Sequence, residues 1–160
     1  MKLLCTIRFD NTDERVFEVA AQSEEWAVSG AFAFAHLAPA EVTGKTRQAF
    51  ANGFLGLASF GRSTFAAVAE AKPGVREEIE ARLAEHFVTH YGAPDLEAAL
   101  PAAREEIEFI AELCRDALVN TVFTVRRVFN ADGRIKEEFR TITPPMGGPR
   151  HARIWTVAPE

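Results

Sequence analysis

The sequence predicts a single α+β domain: a largely antiparallel sheet of about six strands with about three helices packed on it, in the order β-β-β-α-β-α-α-β-β. Segments whose apolar residues alternate, the period of strands, stand at both ends of the chain. Between them, two long stretches repeat apolar residues every three or four positions, the period of helices. A chain of 160 residues, 48% hydrophobic and 26% charged, is the size and mixture of one globular domain.

Leu3, Cys5, Ile7 and Phe9 alternate with polar residues and predict a half-buried first strand, with Cys5 an inert inward thiol. Asp10-Asn11-Thr12-Asp13 is turn chemistry, and Glu14–Val19 is expected to return as the second strand of a hairpin. From Trp26 to His36, large residues on one parity face alanines and serine on the other, without a charge. On a helix the large residues would scatter; on a strand they share a face, so the segment predicts a central strand covered on both sides. Ala31 and Ala33 then let a neighbour approach closely.

Pro39 to Asn52 reads as a helix, with Pro39 near its start, Gly53 past its end and a weak point at Gly44. Phe54 to Arg62, with Gly56 and Gly61, reads as a loop, and Ser63–Glu70 as a strand. Ile79, Leu83, Phe87 and Tyr91 define a helix from Val75 to Gly92. Asp95 is placed to cap the next helix, which runs to about Asp116 and must kink or restart at Pro101. Asn120–Phe129 and Arg134–Thr143 flank Asn130-Ala131-Asp132-Gly133. A three-residue loop pairs Phe129 with Ile135, Arg127 with Glu137 and Val125 with Phe139, each worth about 0.2–1 kcal/mol, and sets Gly133 in a left-handed bulge. Residues 1–143 thus make the domain; 144–160 form a Pro/Gly linker and a short tail whose Ile154 and Trp155 are expected to dock on the body or on a second copy.

Charge is unevenly placed. Residues 75–116 hold eleven acids against four bases, a net of −7, while 117–160 hold seven bases against four acids, a net of +3. An acidic helical face argues against nucleic acid, whose phosphates demand bases. No apolar run approaches the roughly 20 residues that span a bilayer, and the N-terminus lacks the apolar core of a signal peptide. With only Cys5 and Cys114, reduced thiols and a cytoplasmic location are expected.

The chemical motifs are incomplete. Gly44-Lys45-Thr46 ends like a phosphate-binding loop, but Pro39 stands where the loop needs its first glycine. Ser59 has Gly61 two residues after it but Leu57 two before, which a nucleophile elbow does not accept. His86 and His90, one helical turn apart, can meet one metal such as zinc, yet Phe87 replaces the glutamate of the zinc-protease motif. Both fall inside the helix's apolar arc; His36 is the best third ligand, then Asp95. The competing reading is a pair of hydrogen-bonded or rim histidines. Arg62, Arg126 and Arg127 offer charge for an anionic ligand, but cross-strand pairing with Glu138 and Glu137 accounts for the last two.

The segments Trp26–His36, Gly53-Phe-Leu-Gly56 and His86–Asp95 resemble the recurrent segments of a bacterial family of unknown function, along most of the chain. The resemblance implies no activity, cofactor or catalytic residue; it implies an association with genes for formate-oxidising molybdenum enzymes, which slightly favours an accessory role. The expectation is therefore a non-catalytic accessory or protein-interaction domain without a cofactor, self-associating as a homodimer through Ile154, Trp155, Ala31 and Ala33. The alternatives are a small metal-binding or hydrolase-like enzyme using His36, His86 and His90, and a small-molecule binder with a pocket lined by Phe54, Phe60 and the sheet.

Overall fold

The computed structural model describes residues 1–143 and 153–157, with the backbone alone for 143 and 153–157. The described strands are β1 (Lys2–Ile7), β2 (Trp26–Val28), β3 (Phe54–Gly56), β4 (Arg62–Ser63), β5 (Phe65–Glu70), β6 (Val122–Phe129), β7 (Ile135–Thr143) and β8 (Arg153–Val157). They form one antiparallel sheet in the order β4-β3-β2-β1-β5-β6-β7-β8. The helices are α1 (Thr12–Val16), α2 (Gly44–Asn52), α3 (Val75–His90) and α4 (Leu96–Cys114). The α+β class holds, with more strands and one more helix than the sequence suggests.

The core lies where α3 and α4 cover the sheet. Leu83, Ile107 and Ile110 from the helices meet Leu3, Leu4, Phe54, Phe123 and Phe139 from the strands. The stripe on α3 is as expected, and Asp95 caps α4 by accepting from the Ala98 amide at 2.8 Å. Pro101 neither stops nor restarts α4. A second, smaller cluster of Phe34, Val42 and Phe50 packs under α2, with Phe129 stacked on Phe50 at 4.4 Å.

Three expectations are corrected. Residues 12–16 are a helical turn, not a returning strand; Asp10 accepts from the Thr12 amide, and β1 pairs with β2 and β5 instead. The segment Trp26–His36 is a buried strand only to Val28. Gly30 then takes φ 80 and Ala31–Phe34 winds into a 3-10 helix, leaving His36 exposed. The reason is tertiary: Arg127 takes the carbonyl and hydroxyl of Ser29 and Arg62 takes the carbonyl of Gly30, so both carbonyls are turned away from a ladder. Ala31 and Ala33 thus sit on a helical turn, not on a strand face. The third correction is Phe54–Arg62, which forms β3, a turn and β4 instead of a loop. The expected helix 39–52 breaks into a 3-10 turn, Pro39–Glu41, and α2, at the glycine marked as weak.

The C-terminal hairpin has the expected register: Phe129 faces Ile135, Arg127 faces Glu137 and Val125 faces Phe139. Gly133 adopts φ 76, and an added Cβ would meet nothing within 4 Å. A Gly133→Ala substitution therefore isolates the backbone cost. It should lower stability by about 1 kcal/mol, measured by urea denaturation, with Gly133→Asn losing less because asparagine tolerates the left-handed region. The linker 144–152 lies outside the described residues. The tail's 153–157 backbone adds to β7 as an edge strand, Trp155 opposite Thr141 and Ile154 opposite Ile142.

Candidate anion-binding cavity

A cavity of about 200 Å³ opens between α2, the 3-10 helix Ala31–Phe34 and β4, lined by Glu18, Val19, Phe34, Lys45, Thr46, Ala49, Phe60 and Arg62. Arg62 is its chemical centre. The residue is 8% exposed, although arginine is among the residues seldom buried without a partner. Nη1 donates to the Gly53 carbonyl at 3.1 Å and Nη2 to the Gly30 carbonyl at 3.2 Å. The guanidinium lies over the Phe34 ring, 4.8 Å from its centroid. A Cβ at Gly30 would stand 2.6 Å from Nη1, so that glycine makes room for the arginine.

Those bonds satisfy hydrogens, not charge. Among the described residues no carboxylate pairs with Arg62. Its neighbour Arg127 does have one: Nε binds Glu137 at 2.7 Å. Burial, and then the Arg127 charge, push the Arg62 guanidinium down to about 9, with Tyr91 acting the other way. It remains charged at neutral pH, uncompensated and at the wall of a cavity.

The other walls suit an anion with an apolar body. Lys45 and Thr46 lie in the first turn of α2, whose N-cap Thr43 makes no side-chain cap bond to the leading amides. Such a turn carries partial positive charge. Phe34, Phe60, Ala49 and Val19 supply apolar surface. Glu18 and Lys45 are exposed side chains at the lining and form no ion pair among the described residues.

Phe60 is held in place from behind. It sits at φ 57, the left-handed region that bulky side chains avoid. Glu25 pins its turn by accepting from the Ala58 amide at 3.0 Å, the Ser59 amide at 2.8 Å and Ser59 Oγ at 2.7 Å. Burial pushes Glu25 up, but bonds from Ser59, Gln22 and Ala58 outweigh it and hold the carboxyl below the usual range. The Phe60 ring then lies flat on His86, centroids 3.8 Å apart and planes at 2°.

The histidines are therefore aromatic neighbours of this cavity. The His86 and His90 ring centroids are 4.8 Å apart; His86 is half-buried and His90 exposed, so the two do not both lie within the buried face of α3. Among the described residues no three His, Cys, Asp or Glu side chains are grouped to hold a metal ion. Asp95 is spent on its cap. Of the expected small-molecule pocket, Phe60 lines the cavity while Phe54 is sealed in the core at 0% exposure.

Of the three arginines marked for an anion, Arg127 pairs with Glu137 as the register requires, but Glu138 lies 4.0 Å from Arg140 rather than on Arg126. The sequence does not mark Phe34 or Lys45-Thr46 as walls of one cavity, because Phe34 alternates as on a strand and Gly44-Lys45-Thr46 lacks the first glycine of a phosphate loop. The available signal was Gly44-Lys45-Thr46 beginning a helix near an arginine.

The thiols stay inert: burial pushes Cys5 up to about 11 and Cys114 up to about 12. No helix among the described residues is long and apolar enough to cross a membrane.

A family model described as a family of unknown function, DUF6505, matches residues 1–154. The chain belongs to that family. The matched residues include the three segments that carried the resemblance. No curated protein and no solved structure matches the chain.

Proposed function

We propose that this DUF6505 chain is a non-catalytic accessory domain that binds a small organic carboxylate in the Arg62 cavity. The observation that carries the reading is the Arg62 guanidinium: buried, without a carboxylate partner among the described residues, and lining open space. A buried lone charge is costly, and an anion that supplies the missing partner recovers that cost. A bare oxyanion would leave the Phe34 and Phe60 walls unfilled, and about 200 Å³ is small for a nucleotide. A flat acid with its carboxylate on Arg62 and Lys45 uses both.

The test is calorimetry and amide NMR with benzoate, inorganic phosphate and a nucleoside monophosphate. Benzoate is expected to bind saturably, moving the amides of Lys45, Thr46, Phe60 and Arg62 and outcompeting the other two. Arg62→Met should weaken it about 30-fold or more, since losing one partner of a buried charge-assisted bond costs roughly 2 kcal/mol or more. Lys45→Ala, on an exposed residue that leaves the fold intact, should weaken it severalfold. Absence of saturable shifts at those amides in the wild-type chain would end the proposal.

A further inference from the structure

We propose that filling the Arg62 cavity is coupled to uptake of a proton by His86, so that the domain binds its anion more tightly as pH falls. This rests on the carboxylate-binding reading above and adds its regulation. The geometry begins with Phe60, a strained residue whose ring is shared between the two sites: it lines the cavity beside Arg62 and lies flat on the His86 imidazole. Strain of this kind persists only where the surroundings over-determine it, and it gathers at ligand clamps.

The groups around His86 are few. His90 and Tyr91 stand beside it at the end of α3, with ring centroids at 4.8 and 5.5 Å, and the charge of Arg62 on β4 acts on it from the cavity that Phe60 lines. Arg82 and Glu85 precede it on its own helix, and Lys45 and Glu18 stand at the cavity. With the cavity empty, a charge on His86 is opposed by its burial, by His90 and by the bare Arg62, and all three hold its pKa below the ordinary value. A carboxylate on Arg62 cancels the last of these. The imidazolium so favoured also sits over the Phe60 ring face, where a cation is attracted.

Linkage makes the effect reciprocal: if the anion raises the affinity of His86 for a proton, the proton raises the affinity for the anion by the same factor. A tenfold gain in proton affinity at His86 thus becomes a tenfold gain in anion affinity. Benzoate should bind roughly threefold to tenfold more tightly at about pH 5.5 than at about pH 8. The ligand's own carboxyl stays ionised over that range.

Calorimetric titration of the full chain with benzoate across this range tests the coupling, alongside His86→Phe, which keeps a ring on Phe60 but cannot titrate. The expected result is a pH slope in the wild-type chain and in His90→Gln, a flat profile near the high-pH affinity in His86→Phe, and a rise of the His86 pKa by NMR on saturation with benzoate. Saturable but pH-independent binding, or a slope that survives in His86→Phe, overturns the coupling alone. Absence of benzoate binding at every pH overturns the cavity reading and the coupling with it.

Discussion

Replacing Arg127 with methionine should cost about 3–5 kcal/mol, a large share of the stability of a domain this size. Arg127 is 1% exposed and is the point where four elements meet. Nη1 donates to the carbonyls of Ala49, Phe50 and Gly53 at 3.3, 2.9 and 3.0 Å, closing the C-terminal end of α2. Nη2 reaches the Ser29 carbonyl after β2, and Nε pairs with Glu137 on β7. Methionine fills much of the volume but takes this donor from the Phe50 and Ser29 carbonyls and leaves Glu137 without its cationic partner, while the Ala49 and Gly53 carbonyls keep the Gly53 amide and Arg62. Lysine should fail nearly as badly, because one ammonium nitrogen cannot reach the separate acceptors that Nε, Nη1 and Nη2 reach. Urea denaturation followed by circular dichroism measures this: the midpoint should fall sharply with an unchanged slope. A double change, Arg127→Met with Glu137→Met, should cost less than the two single losses added, because no lone charge remains. A single-variant loss under about 1 kcal/mol would remove Arg127 from this role.

The second large effect concerns Glu106 on α4 and depends on pH. Burial, and then the charge of Glu137, push its carboxyl up from 4.5 to about 7, against the pull of Arg127. An acid whose pKa is raised by folding binds its proton more tightly in the folded chain. The fold therefore loses stability as pH rises from about 4.5 through about 7, and the full penalty stands above that. Glu106→Gln mimics the protonated acid permanently. It should be more stable than the wild-type chain at about pH 8, by roughly 1–3 kcal/mol, and close to it at about pH 5. Urea midpoints at the two values check the sign; a variant no more stable at the higher pH would show that Glu106 is already well solvated. Glu25 works in the opposite sense. Its lowered pKa gives stability that is present above its ordinary range and lost as pH falls through the folded value.

Most of the helical half and the C-terminal hairpin were legible in the sequence. The apolar stripe from Ile79 to Tyr91, the Asp95 cap and the Phe129–Ile135 register depend on contacts within one element or between neighbours in sequence. Local periodicity and turn chemistry report such contacts directly. Around the candidate site, sequence could name Arg62 as a charge without an assigned partner and place His86 beside His90, but could not bring the two together. Phe60 joins them only because Glu25, 35 positions earlier in the numbering, holds its turn.

The segment from Trp26 marks the boundary between the two kinds of information. Sequence by itself determined the α+β class, the order of the long elements, the two helical stripes and the apolar character of Trp26–Phe34, because period and side-chain size are properties of the chain alone. Only the tertiary structure decided that the strand ends at Val28. Arg62 and Arg127, on distant strands, claim the backbone carbonyls of Gly30 and Ser29, and a carbonyl turned toward a buried guanidinium is turned away from the neighbouring strand. The turn that results brings Phe34 beneath Arg62 and makes one wall of the cavity.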